Sequence, residues 1–167
     1  RIGIDATSIT PDGKGVSNYQ RNIVESLSKL ESDHEYFVFL NKAHPIRPFV
    51  TKPNWHFIPV PIWKTFFWEQ YQLPFSITKW RLDLIHLASE RLPLLSKVPV
   101  VLYLFENPRH RYEVLAARGG RRKIYDKLAG CLTLFLFPKS LFKARCICVS
   151  SQSTKQDLVE GFQVSPE

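Results

Sequence analysis

Apolar and polar positions along this chain alternate in blocks that switch between two periods. Short apolar runs of strand length stand at Arg1-Ile-Gly-Ile-Asp5, Glu35–Leu40, Trp55–Val60, Asp83–Leu87, Val98–Phe105 and Cys146–Val149. Between them the spacing turns helical. Tyr19, Ile23, Leu27 and Leu30 recur at intervals of 4, 4 and 3, one stripe of a helix that Ser17 or Asn18 can cap. Phe66 to Trp80 predicts a helix broken near Pro74, and Arg109 to Phe142 a mostly helical stretch interrupted at Gly119-Gly120 and Pro138. Ser153, with Gln156 three residues on, predicts a capping box that opens a last helix. Gly161 is placed to end that helix in the left-handed conformation.

Strands alternating with helices predict a doubly wound α/β fold built on a parallel sheet. The fourth and fifth runs are almost continuously apolar, as strands covered on both faces are. Pro59 predicts an edge position for the third strand, because proline cannot donate to a ladder. The 167 residues suit a single domain, 1–167. Ligands of such sheets bind beyond the carboxyl ends of the strands. That rule selects the segments Asp5–Gly15, His86–Arg91, Phe105–Arg111 and Ser150–Thr154.

Charge widens the picture without choosing a partner. The chain carries 23 Lys and Arg against 15 Asp and Glu, net +8. Such a balance suits nucleic acid, an anionic membrane surface or a negatively charged substrate. Nucleic acid is the weakest of these, since no segment has the pattern of a recognition helix or an aromatic RNA-binding sheet. Seven Lys and Arg fall between Arg109 and Lys127, followed by an apolar run from Leu128 to Pro138. Cations beside apolar residues fit contact with an anionic membrane surface, or a solvated helix whose apolar side is core. The run is about half the ~20 residues that a span requires.

Three cysteines make no disulfide framework, and a reducing, cytoplasmic setting is expected, with peripheral contact to the inner membrane face as the extension. Cys146 and Cys148 lie two apart on a strand and share a face. Zinc needs about four ligands, and no second Cys/His pair stands at metal spacing, so both are expected to be buried small side chains and no metal is expected. The sequence holds no methionine, which fits a piece of a longer product.

Six motifs in order resemble one family. Arg1-Ile-Gly-Ile-Asp-Ala6, Lys14-Gly-Val-Ser-Asn-Tyr19, Phe67-Trp-Glu-Gln-Tyr-Gln-Leu-Pro74, Asp83-Leu-Ile-His86, Leu92-Pro93 with Val98-Pro-Val-Val101, and Ala144 to Leu158 are similar to the N-terminal domain of retaining family-4 glycosyltransferases. The resemblance runs almost end to end. It implies the Rossmann-like, acceptor-side half of a GT-B fold, with the C-terminal donor domain absent. It further implies transfer of a sugar from a nucleotide-sugar donor to a glycan or lipid-linked acceptor hydroxyl with retention, no other cofactor, and inactivity of this half alone.

Carried onto this sequence, the resemblance makes Gly13, Gly15 and Val16 the loop beside donor phosphates and acceptor. The turn is not G-x-G-x-x-G, since Asn18 stands at the third glycine position, where the family often has arginine. His86 and Ser150 are placed to line the same crevice. Phe105 and Glu106 stand where many members carry His-Asp. A phenyl ring cannot supply an imidazole hydrogen bond, whereas Glu106 can accept one from an acceptor hydroxyl or act as a base, and is the catalytic candidate. Glu69 reads as a structural pairing. Two alternatives stay open. One is a non-catalytic α/β binding module that has lost transferase chemistry. The other, more distant, is a different nucleotide-binding protein, which should carry G-x-G-x-x-G directly after its first strand.

Overall fold

The structure, a computed structural model, describes residues 1–110, 112 and 124–165. Strands β1 (Ile2–Asp5), β2 (Tyr36–Asn41), β3 (Trp55–Val60), β4 (Leu84–Leu87), β5 (Val100–Leu104) and β6 (Cys146–Val149) form one six-stranded sheet. All pairings are parallel and the order is β3-β2-β1-β4-β5-β6, the doubly wound, Rossmann-like arrangement. β3 is an edge strand, and Pro59 sits on it in register with Leu40.

Side chains alternate across the sheet, and β2 displays both cores. Tyr36, Val38 and Leu40 pack with Ile4 and with Val24 of α1 (Val16–Ser28). Phe37 and Phe39 join the larger core on the other face. There they meet Trp68 and Leu73 from a composite helix: α2 (Thr65–Phe67), a π-helical turn (Trp68–Gln72) and α3 (Leu73–Lys79). Phe137 and Leu141 of α4 (Ile124–Lys143) and Leu158 and Phe162 of α5 (Gln152–Phe162) complete that core. Among the described residues no helix is long and apolar enough to cross a membrane.

Several local expectations are corrected. Pro74 does not break its helix but stands in the first turn of α3. Proline lacks an N–H and crowds the carbonyl four residues back, and the wider π turn just ahead takes up that misfit. α4 likewise runs through Pro138, whose vacated carbonyl belongs to the exposed Leu134. The residue flanking α1 is Gly15, without a side-chain cap, because the Ser17 hydroxyl is taken by the N–H of Thr10. The last helix is capped by Ser151, whose Oγ accepts from the N–H of Thr154 at 3.1 Å. Gly161 lies inside that helix, and Gln163 takes the left-handed closing position at φ 55°.

The cysteines also depart from expectation. Cys146 is exposed and Cys148 half-buried. β6 is an edge strand, and the face it shares with Tyr103 looks toward α1, whose Tyr19 stacks on Tyr103. The predicted interruption at Gly119-Gly120 lies outside the described residues, as does most of the basic segment from Arg109 to Lys127.

Candidate functional site

β1 and β4 are neighbours, yet β1 continues to β2 and β4 to β5 on opposite sides. The crevice beyond such a switch point is where open α/β sheets bind ligands. Here it is a cleft of about 340 Å³ bounded by residues following β1, β4 and β5 and by the composite helix.

The floor is polar and buried. Asp5 ends β1, and its Oδ1 accepts from the Thr7 N–H at 3.1 Å and the Thr7 hydroxyl at 2.7 Å, which turns the chain back over the strand. Burial raises the Asp5 carboxyl above its ordinary value against those bonds. Glu69 enters from the π turn, only 2% exposed. Its two oxygens accept from the Ser89 hydroxyl at 2.5 Å and from Arg91 Nε at 2.6 Å. Burial raises this carboxyl too, opposed by Arg91 and Ser89. Arg91 also donates to Thr133 Oγ1 of α4 at 2.7 Å. The structural pairing expected of Glu69 is thus present, and it fixes the loop after β4 between two helices.

The loop after β1 is held by polar residues of α1. Gln20 Oε1 accepts from Ser8 N–H at 3.0 Å and Ser17 Oγ from Thr10 N–H at 3.1 Å. Gly13 is required by this approach: a Cβ there would stand 1.9 Å from Ser17 Oγ. Gly15 has φ 54° and ψ −110°, a backbone conformation that side chains disfavour. Of this loop's candidates only Val16 lines the cleft.

The opposite wall is aromatic. Tyr103 and Phe105 line it, Phe105 edge-on to Tyr103 at 4.9 Å. Tyr19 stacks on Tyr103 at 3.8 Å and hydrogen-bonds His86 Nε2 at 3.0 Å. His86 therefore sits behind the wall and does not line the cleft. Its Nδ1 is buried without a partner, and burial lowers its pKa to about 4, so the ring is neutral at physiological pH. Ser150 is also off the lining; its hydroxyl donates to the Phe105 carbonyl at 2.6 Å and pins the end of β5. Glu106, exposed at the mouth, does line the cleft.

The structure thus gathers Val16, Phe105 and Glu106 in one cleft, leaves Gly13 and Gly15 in the loop that shapes it, and sets His86 and Ser150 behind it. Asp5, Thr7, Ser8, Ser89 and Arg91 are among the lining residues that sequence reasoning did not name singly. The rule of carboxyl-end loops had selected their segments, and an acid closing an apolar run was the visible signal for Asp5. No cluster of three or more His, Cys, Asp or Glu suited to a metal occurs among the described residues. Compared with known proteins, the chain matches no family model and no curated protein sequence.

Proposed function

We propose that this chain is the acceptor-side domain of a GT-B glycosyltransferase, and that the cleft at the β1/β4 switch point orients a polyhydroxylated, uncharged acceptor. The observation that carries the reading is the sign of the cleft. In a chain of net +8, the described lining residues hold four carboxylates, Asp5, Glu69, Glu90 and Glu106, and one guanidinium, Arg91, which is paired with Glu69. Among the described residues that excess of acid disfavours a phosphate group. The lining suits hydroxyl groups, which donate to carboxylates, and the apolar face of a sugar ring, which packs on Phe105 and Tyr103. The donor nucleotide-sugar would then be held mainly by a second, C-terminal domain, and closure of the two would bring donor to acceptor. Glu106 is the group at the mouth able to accept the acceptor proton.

The second reading is a carbohydrate-binding module without chemistry. Phe105 favours it, because it stands where the resemblance leads one to expect histidine. Contact with an anionic membrane at the cytoplasmic face would bring a lipid-linked acceptor within reach.

Calorimetry and saturation-transfer NMR with glucose, N-acetylglucosamine and maltotriose, set against glucose 6-phosphate and several nucleotide-sugars, test the acceptor assignment. Neutral sugars should bind and their phosphate esters bind more weakly. Micromolar affinity for a nucleotide-sugar, or preference for the phosphate ester, overturns it. Binding of neutral sugars without transfer by a longer chain supplied with donor selects the second reading.

A further inference from the structure

The composite helix Thr65–Lys79 turns aromatic residues to solvent. Phe67, Tyr71 and Phe75 recur every four residues, and the π turn between them returns the register that a continuous α-helix would rotate away. Trp63, just before the helix, packs edge-on to Phe67 at 6.4 Å, and Phe67 stacks on Tyr71 at 4.9 Å. Trp63 is 81% exposed and Phe75 69%. α4 repeats the pattern. Thr133, Phe137, Ser140 and Leu141 face inward, while Leu128, Leu132, Phe135 and Phe142 are exposed.

The two helices form one layer. Gln70 Nε2 donates to the Leu92 carbonyl at 2.7 Å, and Leu92 N–H donates to Ser140 Oγ of α4 at 2.9 Å. Their inward residues share one core on one face of the sheet, so their exposed residues look away from it. Among the described side chains of the two helices the exposed charges are all positive. Lys64, Lys79, Lys139 and Lys143 flank the apolar residues, Lys139 lying 3.9 Å over the Phe135 ring. Within Thr65–Lys79 and 128–143 the sequence has one acid, Glu69, and it is turned inward. Beside Tyr71 and Phe75 a groove of about 410 Å³ opens against edge strand β3, lined by Ile58, Pro59 and Trp80.

We propose that this outer layer docks on an anionic lipid bilayer. Exposed apolar patches of this extent on a folded domain mark interaction surfaces. Trp and Tyr amid Lys is the composition of segments that lie in the headgroup region. Lys79 and Lys139 would meet lipid phosphates, and the groove has room for part of an acyl chain. A second copy of the chain would bring lysines against lysines. The face differs from the Arg109–Lys127 segment that the sequence suggested, and the inference stands independently of the sugar-transfer reading.

Co-sedimentation of the chain with phosphatidylcholine vesicles, with and without phosphatidylglycerol, tests it. Binding should require the anionic lipid and weaken with salt. Phe75→Ser with Phe142→Ser should reduce binding by at least about tenfold, the equivalent of one withdrawn aromatic side chain. Brominated lipids should quench Trp63 fluorescence in the unmodified chain, and Trp63→Phe should remove that quenching while sedimentation persists; this readout decides even if the double variant unfolds. Failure to bind anionic vesicles at low salt overturns the proposal. So does binding without quenching of Trp63, or a lipid-free dimer that Phe75→Ser and Phe142→Ser disperse.

Discussion

α1 and the composite helix Thr65–Lys79 both bury polar side chains, but they treat their outer faces oppositely. α1 turns Ser17 and Gln20 inward to hold the loop after β1, and shows Asn18, Asn22 and Ser26 to solvent. The composite helix turns Glu69, Gln70 and Ser76 inward and shows Phe67, Tyr71 and Phe75. Ser17 and Gln20 serve the loop after β1, and Glu69 and Gln70 the loop after β4, so both helices spend core-facing positions on shaping the cleft. For α1 water is a sufficient outer partner. The other helix leaves apolar surface whose burial would stabilise an association by about 25 cal/mol per Å².

The inward polar residues differ in charge, and that difference gives the largest expected effect. Glu69→Ala leaves the mostly buried Arg91 without its carboxylate and should cost about 3–5 kcal/mol in urea unfolding. Gln20→Ala removes one bond to the Ser8 N–H and should cost about 1–3 kcal/mol. Equal costs would mean that the ion pair is no more demanding than the amide, and that the two helices hold their loops equivalently.

The α1 side contributes pH dependence through His86, which Tyr19 hydrogen-bonds. Its folded pKa, about 4, lies below the unfolded value near 6.5. The folded state therefore binds fewer protons between those values, and stability falls as pH drops from about 6.5 to about 4. The full loss attached to this group is about 3 kcal/mol. Asp5 and Glu69, with raised carboxyl pKa values, act in the opposite sense, gaining stability as pH falls. The group's share is thus the difference between wild type and His86→Phe in unfolding curves across this range. Parallel curves would show that His86 is not buried as a neutral ring.

How much of this was legible in the sequence depends on which force set each feature. Six strands were readable because buried parallel strands must be apolar whatever surrounds them. Their order was not, since β2 and β6 are both apolar runs, yet β2 buries five residues and β6 none fully. Cys146 was misread for that reason. The caps were misplaced by two residues because Ser17 and Ser153 both fit the pattern, and only tertiary contacts decide which hydroxyl is free to cap. The π turn has no local signature beyond Pro74. In the cleft, Glu106 and Phe105 were legible from position after a strand. Arg91 and Ser89 were not, because their partner Glu69 lies 20 or more residues away in sequence.

The start of α1 offers a smaller effect. Gly15→Ala places a side chain at φ 54° in otherwise open space, so its cost should be backbone strain alone, roughly 1–3 kcal/mol. The composite helix begins at Lys64 with ordinary extended backbone, φ −146°, and Lys64→Ala should not incur this strain. Thermal denaturation of the two variants measures the contrast, and an unchanged midpoint for Gly15→Ala would remove the argument for glycine there.

The smallest expected effect is the most diagnostic for the outer faces. Phe75 is 69% exposed, and its ring does no core packing that serine would forfeit. Surface substitutions away from special features stay within about 0.5 kcal/mol, so Phe75→Ser should leave the urea midpoint almost unmoved. Asn22→Ser on the solvated face of α1 should do the same. The two variants should separate only when an anionic bilayer is present. A ligand that binds the folded state alone stabilises it by RT ln(1 + [L]/Kd). Lipid should therefore raise the midpoint of wild type and Asn22→Ser together and that of Phe75→Ser less. If Phe75→Ser instead destabilises the lipid-free chain by more than about 1 kcal/mol, well outside the surface range, the ring is part of the packed structure. The contrast between the two helices would then lie in their cores, and the outer aromatic row would need no partner.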